Sequence, residues 1–220
     1  MTLPQAIGRA ARPGSLSLRA EVAAYKKELI FRAACQAFWE HGYHDTTVEM
    51  LAARLDGSKA IFYYYYADKR AVLEEVYRRS LAEAQEIARA ALTKELPATS
   101  RLLEFARAYV RWVVDNQALV DVFWREERML SPAKRHEIAL EQKRFDDMIA
   151  QMLRQGVDEG VFRVRDLTMT ARAIAGMATF TSNWWKPGGR VGRDEVAEQF
   201  AQLALRLAGA AAAPARSGRP

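Results

Sequence analysis

The sequence predicts an all-α protein. Apolar residues recur at spacings of three and four through most of the 220 residues, which is the periodicity of helices with one buried face. Stretches that alternate between apolar and polar side chains, as half-buried strands do, are missing from the sequence. Several of the periodic segments begin after a capping residue and end before a glycine or a proline. Together these patterns predict about nine helices.

The N-terminal third of the chain has clear helix boundaries. Ile30, Ala34 and Phe38 fall on one stripe of the first helix, and Gly42 ends that helix as a C-terminal cap residue. Residues of N-cap type stand before the next three helices. These caps are Thr47, Ser58 and Asp68. The four predicted helices run from Leu18 to His41, Val48 to Leu55, Lys59 to Tyr65, and Asp68 to Leu92.

Turn residues divide the rest of the chain in the same way. A break around Pro97 precedes the fifth helix, and Ser131 followed by Pro132 forms a cap with proline in the first turn. Gly156 is expected to end that helix, and residues 186–189 separate the last two. The five predicted helices run from Arg101 to Asn116, Leu119 to Met129, Ser131 to Gln155, Leu167 to Trp184, and Arg193 to Leu207.

The composition excludes several classes of protein. Lys and Arg number 33 against 27 Asp and Glu, which gives a net charge of +6, and 50% of the residues are hydrophobic. This is a globular composition with a basic lean. The single cysteine, Cys35, excludes an intramolecular disulfide and a zinc site of several cysteines. With no apolar run of the ~18 to 20 residues that span a bilayer and no signal peptide, we expect a cytoplasmic protein with no membrane partner.

Both ends of the chain are expected to lie outside the folded core. Residues 1–21 are predicted to form a flexible basic arm, because their first 17 positions combine prolines, glycines and serines with Arg9 and Arg12. Residues 209–220, rich in alanine and containing two prolines, are predicted to form a disordered tail.

Residues 46–69 carry the most informative pattern. Two helices of about two turns each are joined by a tight turn at Asp56 and Gly57, which is the layout of a helix-turn-helix. Helices this short are marginal on their own in water, so they must pack on the first helix. In such a motif the N-terminal residues of the second helix enter the DNA major groove. The sequence therefore predicts a DNA-binding helix that begins near Lys59.

The side chains at this helix end suit DNA. Lys59 can donate to guanine or to a phosphate, and the methyl group of Ala60 can contact a thymine methyl. The hydroxyl of Thr47, the phenol of Tyr63 and the ammonium of Lys69 are groups that bind phosphates. The full set of predicted DNA-binding residues is Thr47, Ser58, Lys59, Ala60, Tyr63, Tyr64 and Lys69.

A short helix pair inside an ordinary bundle is the alternative interpretation. Four successive tyrosines at residues 63–66 cannot all face one way on a helix, so one or two of them belong to the core and only the others can reach DNA. The capped spacing of the two helices favours the DNA-binding interpretation.

The same segment resembles the N-terminal domain of tetracycline-repressor-type (TetR family) transcriptional regulators. The match covers about 50 residues without a gap, although Asp56 and Gly57 stand where the family usually has Gly-Val. The residues that carry it are Ile30 to Phe38, Gly42, Tyr43, Thr46 to Val48, Leu51, Ala52, Ser58, Lys59, Tyr63, Tyr66, Asp68 and Lys69.

The resemblance implies an architecture and partners. It implies an N-terminal three-helix helix-turn-helix domain over residues 22–82, followed by a larger helical bundle over residues 83–208 for effector binding and dimerisation. Thr47, Tyr63 and Lys69 would contact phosphates, and Lys59, Ala60 and Tyr64 would face the groove. A homodimer would bind a near-palindromic operator in double-stranded DNA, with the last two long helices in its seam. Small residues in these helices, such as Ala171 and Ala173, permit the close helix approach that a seam needs. A buried helix within one chain would contain similar residues.

Aromatic residues are concentrated between residues 101 and 160. Aromatic side chains at helical spacing are more often core than ligand site, but the resemblance implies a cavity for a small hydrophobic effector, and cavities need such walls. The candidate effector-binding residues are Phe105, Tyr109, Trp112, Phe123, Trp124, Arg128, Phe145 and Met148. Residues 183–197 look like the branch of the family that responds to acyl-CoA thioesters or related lipid metabolites. Hydrophobic drugs and other aromatic compounds are the alternatives.

The sequence contains no recognisable catalytic, cofactor or metal motif. The three histidines have no carboxylate or cysteine partners at ligand spacing, and a nucleophile elbow and a phosphate loop are both missing. We therefore predict a ligand-responsive repressor with no cofactor, no metal and no enzymatic activity. The alternative is a helical enzyme that acts on an acyl or aromatic substrate, with Glu126 and His136 as its candidate acid and base.

Overall fold

The computed structural model describes residues 18–55 and 57–210. Within these ranges the chain contains helices and no strand, so the predicted all-α class is confirmed. A 3-10 turn over Glu127–Met129 follows α6. The helices are α1 (Leu18–Asp45), α2 (Val48–Arg54), α3 (Lys59–Tyr65), α4 (Lys69–Leu92), α5 (Ala98–Asp115), α6 (Gln117–Arg125), α7 (Pro132–Asp158), α8 (Leu167–Thr179), α9 (Thr181–Trp184) and α10 (Arg193–Leu207).

Most of the predicted helix ends are confirmed. Gly42 interrupts α1 with φ 81° and ψ 161°, a conformation that glycine adopts without strain. Three predicted N-caps each accept a backbone N–H from three residues further along, which satisfies a donor that the helix leaves unpaired. They are Thr47 with Met50 (3.2 Å), Asp68 with Ala71 (2.8 Å) and Ser131 with Lys134 (3.2 Å).

Predicted helix ends are wrong at three places. The sixth helix ends at Arg125 rather than Met129, and the 3-10 turn follows it. Gly156 does not end α7 but lies buried inside it, because the Phe162 ring folds back against its Cα. The chain turns instead at Gly160, where φ is +73°. The predicted helix from Leu167 to Trp184 is divided at Phe180, and the hydroxyl of Thr181 donates to the Ala178 carbonyl three residues earlier (2.7 Å). Such local hydrogen bonds compete with the helical ladder.

The buried side chains form two clusters that meet on α4. The first contains the apolar face of α1, residues of α2 and α3, and α4 as far as Leu81. The second begins at Ala84 and contains α5, α8, α10 and most of α7. The expected domain boundary after residue 82 therefore lies inside one continuous helix. The first cluster also takes Leu119, Val122 and Phe123 from α6, so α6 packs on the N-terminal helices.

The chain ends differ from the predicted arm and tail. Residues 18–21, assigned to the arm, form the first turn of α1, and residues 1–17 lie outside the described residues. Gly209 and Ala210, assigned to the tail, close the end of α10, where the Ala210 N–H donates to the Leu205 carbonyl (3.1 Å). Residues 211–220 and the turn residue Asp56 also lie outside the described residues. In the part that is described, no helix combines the length and the apolar character needed to cross a membrane.

Candidate nucleic-acid interface and effector cavity

The helix-turn-helix is fixed by its buried side. Leu51 from α2 and Phe62 from α3 are fully buried against the apolar face of α1, which includes Ile30 and Phe38. The N–H of Gly57 donates to the Ala52 carbonyl (3.1 Å) and closes the end of α2. The first cluster therefore holds both short helices in place, as their length requires.

The opposite side of the pair faces solvent. Thr47, Ser58, Lys59 and Ala60 are exposed. Ser58 occupies the predicted N-cap position of α3, but its hydroxyl makes no capping hydrogen bond, which corrects its predicted capping role and leaves the group on the surface. The α3 N-terminus therefore presents its polar groups outward.

The tyrosine tract divides as its helical position requires. Tyr63 and Tyr64 are 54% and 78% exposed, whereas Tyr66 is buried against Phe62 in the first cluster. Tyr65 is half-buried. The expectation that one or two of the four tyrosines belong to the core is confirmed for Tyr66, and Tyr63 and Tyr64 are the most exposed of the four.

Lys59 has a partner that the sequence did not indicate. Its ammonium pairs with the Glu49 carboxylate in the first turn of α2, and both side chains are more than half exposed. This contact raises the pKa of Lys59 and lowers that of Glu49. Lys59 is therefore part of an ion pair, and the surface that faces outward carries a carboxylate as well as an ammonium.

Lys69 is bonded within the chain. Its ammonium donates to three carbonyls where α1 ends, those of Tyr43 (2.7 Å), His44 (3.0 Å) and Thr46 (2.9 Å), and lies 4.5 Å from the centroid of the Tyr43 ring. An ammonium has three N–H groups, so all of them are used inside the chain. Lys69 joins α4 to the end of α1, and it must give up one of these bonds to reach a phosphate.

A cavity of about 430 Å³ opens between α4, α5, α6, α7 and α8. Pockets for small molecules have about this size and similarly apolar walls. The Tyr109 ring stacks on Trp112 (centroids 5.9 Å apart) and packs at 5.0 Å from Phe145. Five of the predicted effector-binding residues line the cavity, namely Tyr109, Trp112, Phe123, Trp124 and Phe145.

Three predicted effector-binding residues do not line this cavity. Phe105 is fully buried behind Tyr109, on which it stacks at 5.6 Å. Arg128 is exposed on the 3-10 turn, and Met148 packs against the second cluster. Periodicity placed Phe105 and Met148 on helices correctly but could not distinguish a cavity wall from the core behind it.

The polar rim of the cavity was missed in the sequence. Arg172 from α8 donates through Nε to Oδ2 of Asp146 on α7 (3.1 Å), and Gln142 and Lys143 lie one turn earlier on α7. Burial raises the pKa of Asp146, and the bond from Arg172 opposes that rise. Gln142 and Asp146 are spaced in the sequence so that they share one face of α7. Polar residues at such spacing usually face solvent, so the spacing alone offers no reason to place them at a cavity.

The candidate acid and base of the enzyme alternative lie outside the cavity. Glu126 accepts the Tyr43 N–H (3.2 Å), and His136 is exposed on the first turns of α7. The residues that line the cavity include no histidine or cysteine. Among the described residues, no group of three or more His, Cys, Asp or Glu side chains is placed to hold a metal ion.

Polar contacts of α6 join the two halves of the chain. Asp121 accepts hydrogen bonds from Trp39 Nε1 on α1 (2.9 Å) and from the Ser182 hydroxyl on α9 (2.7 Å). Arg125 donates to the carbonyls of Phe38 (2.8 Å) and Trp39 (3.2 Å) at the end of α1. Since Phe123 and Trp124 of the same helix line the cavity, α6 contacts both the cavity and the helix that supports the helix-turn-helix.

These features define a class of protein, a DNA-binding regulator with a helix-turn-helix on a ligand-binding helical bundle. The sequence profile of bacterial regulatory proteins of the tetR family matches residues 30–76, and that of the tetracyclin repressor-like C-terminal domain matches residues 95–208. The chain belongs to the TetR family.

Known relatives and structures agree with this assignment. The transcriptional repressor KstR2 of Mycobacterium tuberculosis is 25% identical over 187 residues, which cover 84% of this chain and 93% of KstR2. A tetR-family regulatory protein from Rhodococcus RHA1 superposes with a TM-score of 0.78 and 28% identity over 84% of this chain and 98% of its own. AibR in complex with isovaleryl coenzyme A and operator DNA has the same fold, with a TM-score of 0.72 and 21% identity over 81% of this chain and 97% of AibR.

Proposed function

We propose that this chain is a homodimeric repressor, active in the cytoplasm, that a small hydrophobic effector releases from its operator. The observation that carries the proposal is the outward face of the helix-turn-helix, where Lys59, Ala60, Tyr63 and Tyr64 are exposed on helices that a buried core holds in place. The first residues of the second helix are the ones that contact base edges in such motifs.

The DNA contacts are proposed as follows. Ala60 and Tyr64 face the major groove, while Thr47, Ser58 and Tyr63 bind phosphates through their hydroxyls. Lys59 leaves Glu49 for guanine or a phosphate when DNA is present. Lys69 acts mainly by fixing the end of α1, although the family resemblance would give it a phosphate.

The homodimer is proposed to form through α8 and α10. Their outer side carries an apolar stripe at helical spacing, and Met169 and Phe180 in it are 70% and 63% exposed. Exposed apolar surface of this extent commonly marks an interface. The stripe also contains Ala173 of α8 and Leu203 and Leu207 of α10, and Trp184 of α9 is exposed as well. Two copies joined there would place two helix-turn-helices on one operator with two matching half-sites.

The effector is proposed to enter the cavity behind α6. A ligand that favours a different position of α6 would shift α1 through the contacts of Asp121 and Arg125, and so change the distance between the two DNA-binding motifs. Coupling free energies of this kind are typically about 1 to 3 kcal/mol. An acyl-CoA or lipid-like metabolite is our candidate, because AibR, which has the same fold, is known in complex with isovaleryl coenzyme A.

A binding experiment on selected DNA tests the proposal. We expect the purified chain to enrich one near-palindromic sequence from random duplexes, and Lys59→Ala and Tyr64→Ala to weaken that binding by about tenfold each, since a good base or phosphate contact contributes about 1 to 3 kcal/mol. Lys186→Ala, which removes an exposed lysine far along the chain, should bind as the wild type does. Enrichment of no sequence, or equal binding by all variants, would contradict the proposal.

A further inference from the structure

We infer that the effector is an apolar molecule with an acidic end, and that Arg172 binds its carboxylate or phosphate at the rim of the cavity. The inference rests on the proposed effector function and adds to it the charge and the orientation of the ligand. It depends on the unequal distribution of apolar and charged groups in the cavity lining.

The walls of the cavity select an apolar body. They come mainly from alanine, leucine, valine and aromatic side chains, and most of the polar groups present are already bonded within the chain. The Ser80 hydroxyl donates to the Val76 carbonyl (2.8 Å), the Thr179 hydroxyl to the Ala175 carbonyl (3.0 Å), and the Trp112 Nε1 to Glu83 (2.7 Å). An ion placed among these walls would lose its hydration without compensation.

Arg172 has unused donors at the rim. Its side chain is 65% exposed, and its Nε donates to Asp146. Among the described residues, no acceptor is bonded to its two terminal NH₂ groups. A guanidinium carries five N–H donors in a planar fork, which fits the two oxygens of a carboxylate or phosphate. Arg172 can therefore bind an anion while it keeps its contact with Asp146.

The charges at the rim favour an anion over a cation. Among the residues that line the cavity, Lys143 and Arg172 are cations and Asp146 is the single carboxylate. Asp146 is buried and already paired with Arg172, whereas Lys143 holds an exposed contact with Asp147 (2.6 Å), which does not line the cavity. An amine would add a third cation to a rim whose one carboxylate is already paired with Arg172, whereas an acid would meet two cations and that paired carboxylate.

An acidic end could come from two kinds of molecule. A free acid places its carboxylate directly on the apolar body, whereas a CoA thioester places its phosphates beyond the pantetheine arm. The same recognition chemistry serves both, and a set of compounds that differ only in this end distinguishes them.

The experiment measures dissociation constants by calorimetry at pH 8 for the full-length chain. The probes are phenyl-capped chains of four, six and eight carbons, each as the carboxylic acid, the primary amide, the amine and the CoA thioester. We expect the acid or the thioester of at least one chain length to bind about tenfold more tightly than the amide, because hydrogen bonds to charged groups are stronger than those to neutral groups. The amine should bind most weakly. Preference for the acid identifies a free carboxylate, and preference for the thioester alone identifies the CoA phosphates.

Variants at the rim test the assignment to Arg172. Arg172→Gln should abolish the preference for the anionic form and leave amide binding unchanged. Asp146→Asn, which removes the opposing negative charge, should increase the preference for the anionic form. Arg190→Gln, at an exposed arginine outside the cavity lining, should behave as the wild type does. Amides that bind as tightly as both anionic forms, amines that bind best, or a preference that survives in Arg172→Gln would overturn the inference while leaving the effector cavity intact. If no compound bound at all, the proposed effector function would fail as well.

Discussion

Single residues of the helix-turn-helix set the charge of the surface offered to DNA. Lys59 and Glu49 lie on neighbouring helices, and their contact neutralises the cation at the start of α3. A DNA phosphate must compete with Glu49 for that ammonium, and the freed carboxylate then lies close to a polyanion. On the DNA contacts proposed above, Glu49 should therefore lower the DNA affinity of the surface that Lys59 helps to form.

The competition between Glu49 and DNA phosphates for Lys59 predicts the effect of Glu49→Gln. The substitution removes one negative charge from the DNA-facing surface and releases Lys59, so affinity for non-specific duplex DNA should rise several-fold in 50 mM salt, and the dependence on salt should become steeper by up to about one phosphate contact. Fluorescence anisotropy with labelled duplexes measures both quantities.

Glu95→Gln is the matched control for that experiment. Glu95 is exposed in the loop between α4 and α5, and the substitution changes the net charge by the same amount. If both variants raised DNA affinity equally, net charge rather than the Glu49 contact would be responsible. An unchanged affinity in Glu49→Gln would contradict the position of this residue on the DNA-facing surface.

Residue types alone predicted the outward polar groups but not their partners. Lys59, Ala60, Tyr63 and Tyr64 were expected on the surface because the helix has one apolar face, and they are exposed. The pairing of Lys59 with Glu49 and the bonds of Lys69 to three carbonyls depend on how α1, α2 and α4 meet. Sequence spacing carries no information about contacts of that kind.

At the scale of helices, α7 shows why a glycine in a sequence is ambiguous. Gly156 and Gly160 both follow a periodic segment, and only Gly160 has the positive φ of a helix stop. A Cβ on Gly156 would lie 2.0 Å from the Phe162 ring, far inside van der Waals contact. Glycine is required at residue 156 for close packing, and the sequence alone could not separate this role from that of a cap.

Gly156→Ala is therefore expected to destabilise the chain. The added methyl must displace a buried ring, and overpacking of this kind costs typically about 1 to 3 kcal/mol. Urea denaturation followed by circular dichroism gives the change in the free energy of unfolding.

Gly176→Ala provides the comparison within a neighbouring helix. Its Cβ meets no atom within 4 Å of the described chain, so the variant should be as stable as the wild type or more stable by up to about 1 kcal/mol, as alanine favours helices. Equal losses in the two variants would show that the Phe162 contact is not the cause.

At the scale of the whole molecule, α4 and α6 connect the cavity to the DNA-binding helices. α4 contributes to both buried clusters, and α6 lines the cavity with Phe123 and Trp124 while its Asp121 holds α1 and α9 together. The division of the chain into two functional halves could be anticipated from sequence. The packing of α6 on the N-terminal helices could not be anticipated from sequence, because an apolar helix face has the same pattern whichever of the two clusters it packs into.

Asp121→Asn should weaken the coupling between the cavity and the DNA-binding helices. The two carboxylate oxygens of Asp121 each accept one hydrogen bond, one from Trp39 and one from Ser182. An amide side chain has a single carbonyl oxygen, so the variant can keep only one of these two bonds in the present geometry. We expect the effector to bind as before in calorimetry but to lower operator affinity less than it does in the wild type.

Asp115→Asn is the control for coupling, because Asp115 pairs with Arg193 between α5 and α10, away from α1. It should keep the full response to the effector. A full response in Asp121→Asn too would exclude Asp121 as part of the connection.

The central claim is that two copies of the exposed α3 face bind one duplex. Hydroxyl-radical footprinting on the tightest duplex selected by the wild type tests it most directly. We predict two symmetric protected half-sites on one side of the duplex, separated by about one helical turn or ~34 to 36 Å. At the lowest concentration that protects both half-sites with the wild type, Tyr64→Ala should lose most of the protection of both. Protection of no site, or a footprint that Tyr64→Ala and Lys59→Ala leave unchanged, would contradict the claim.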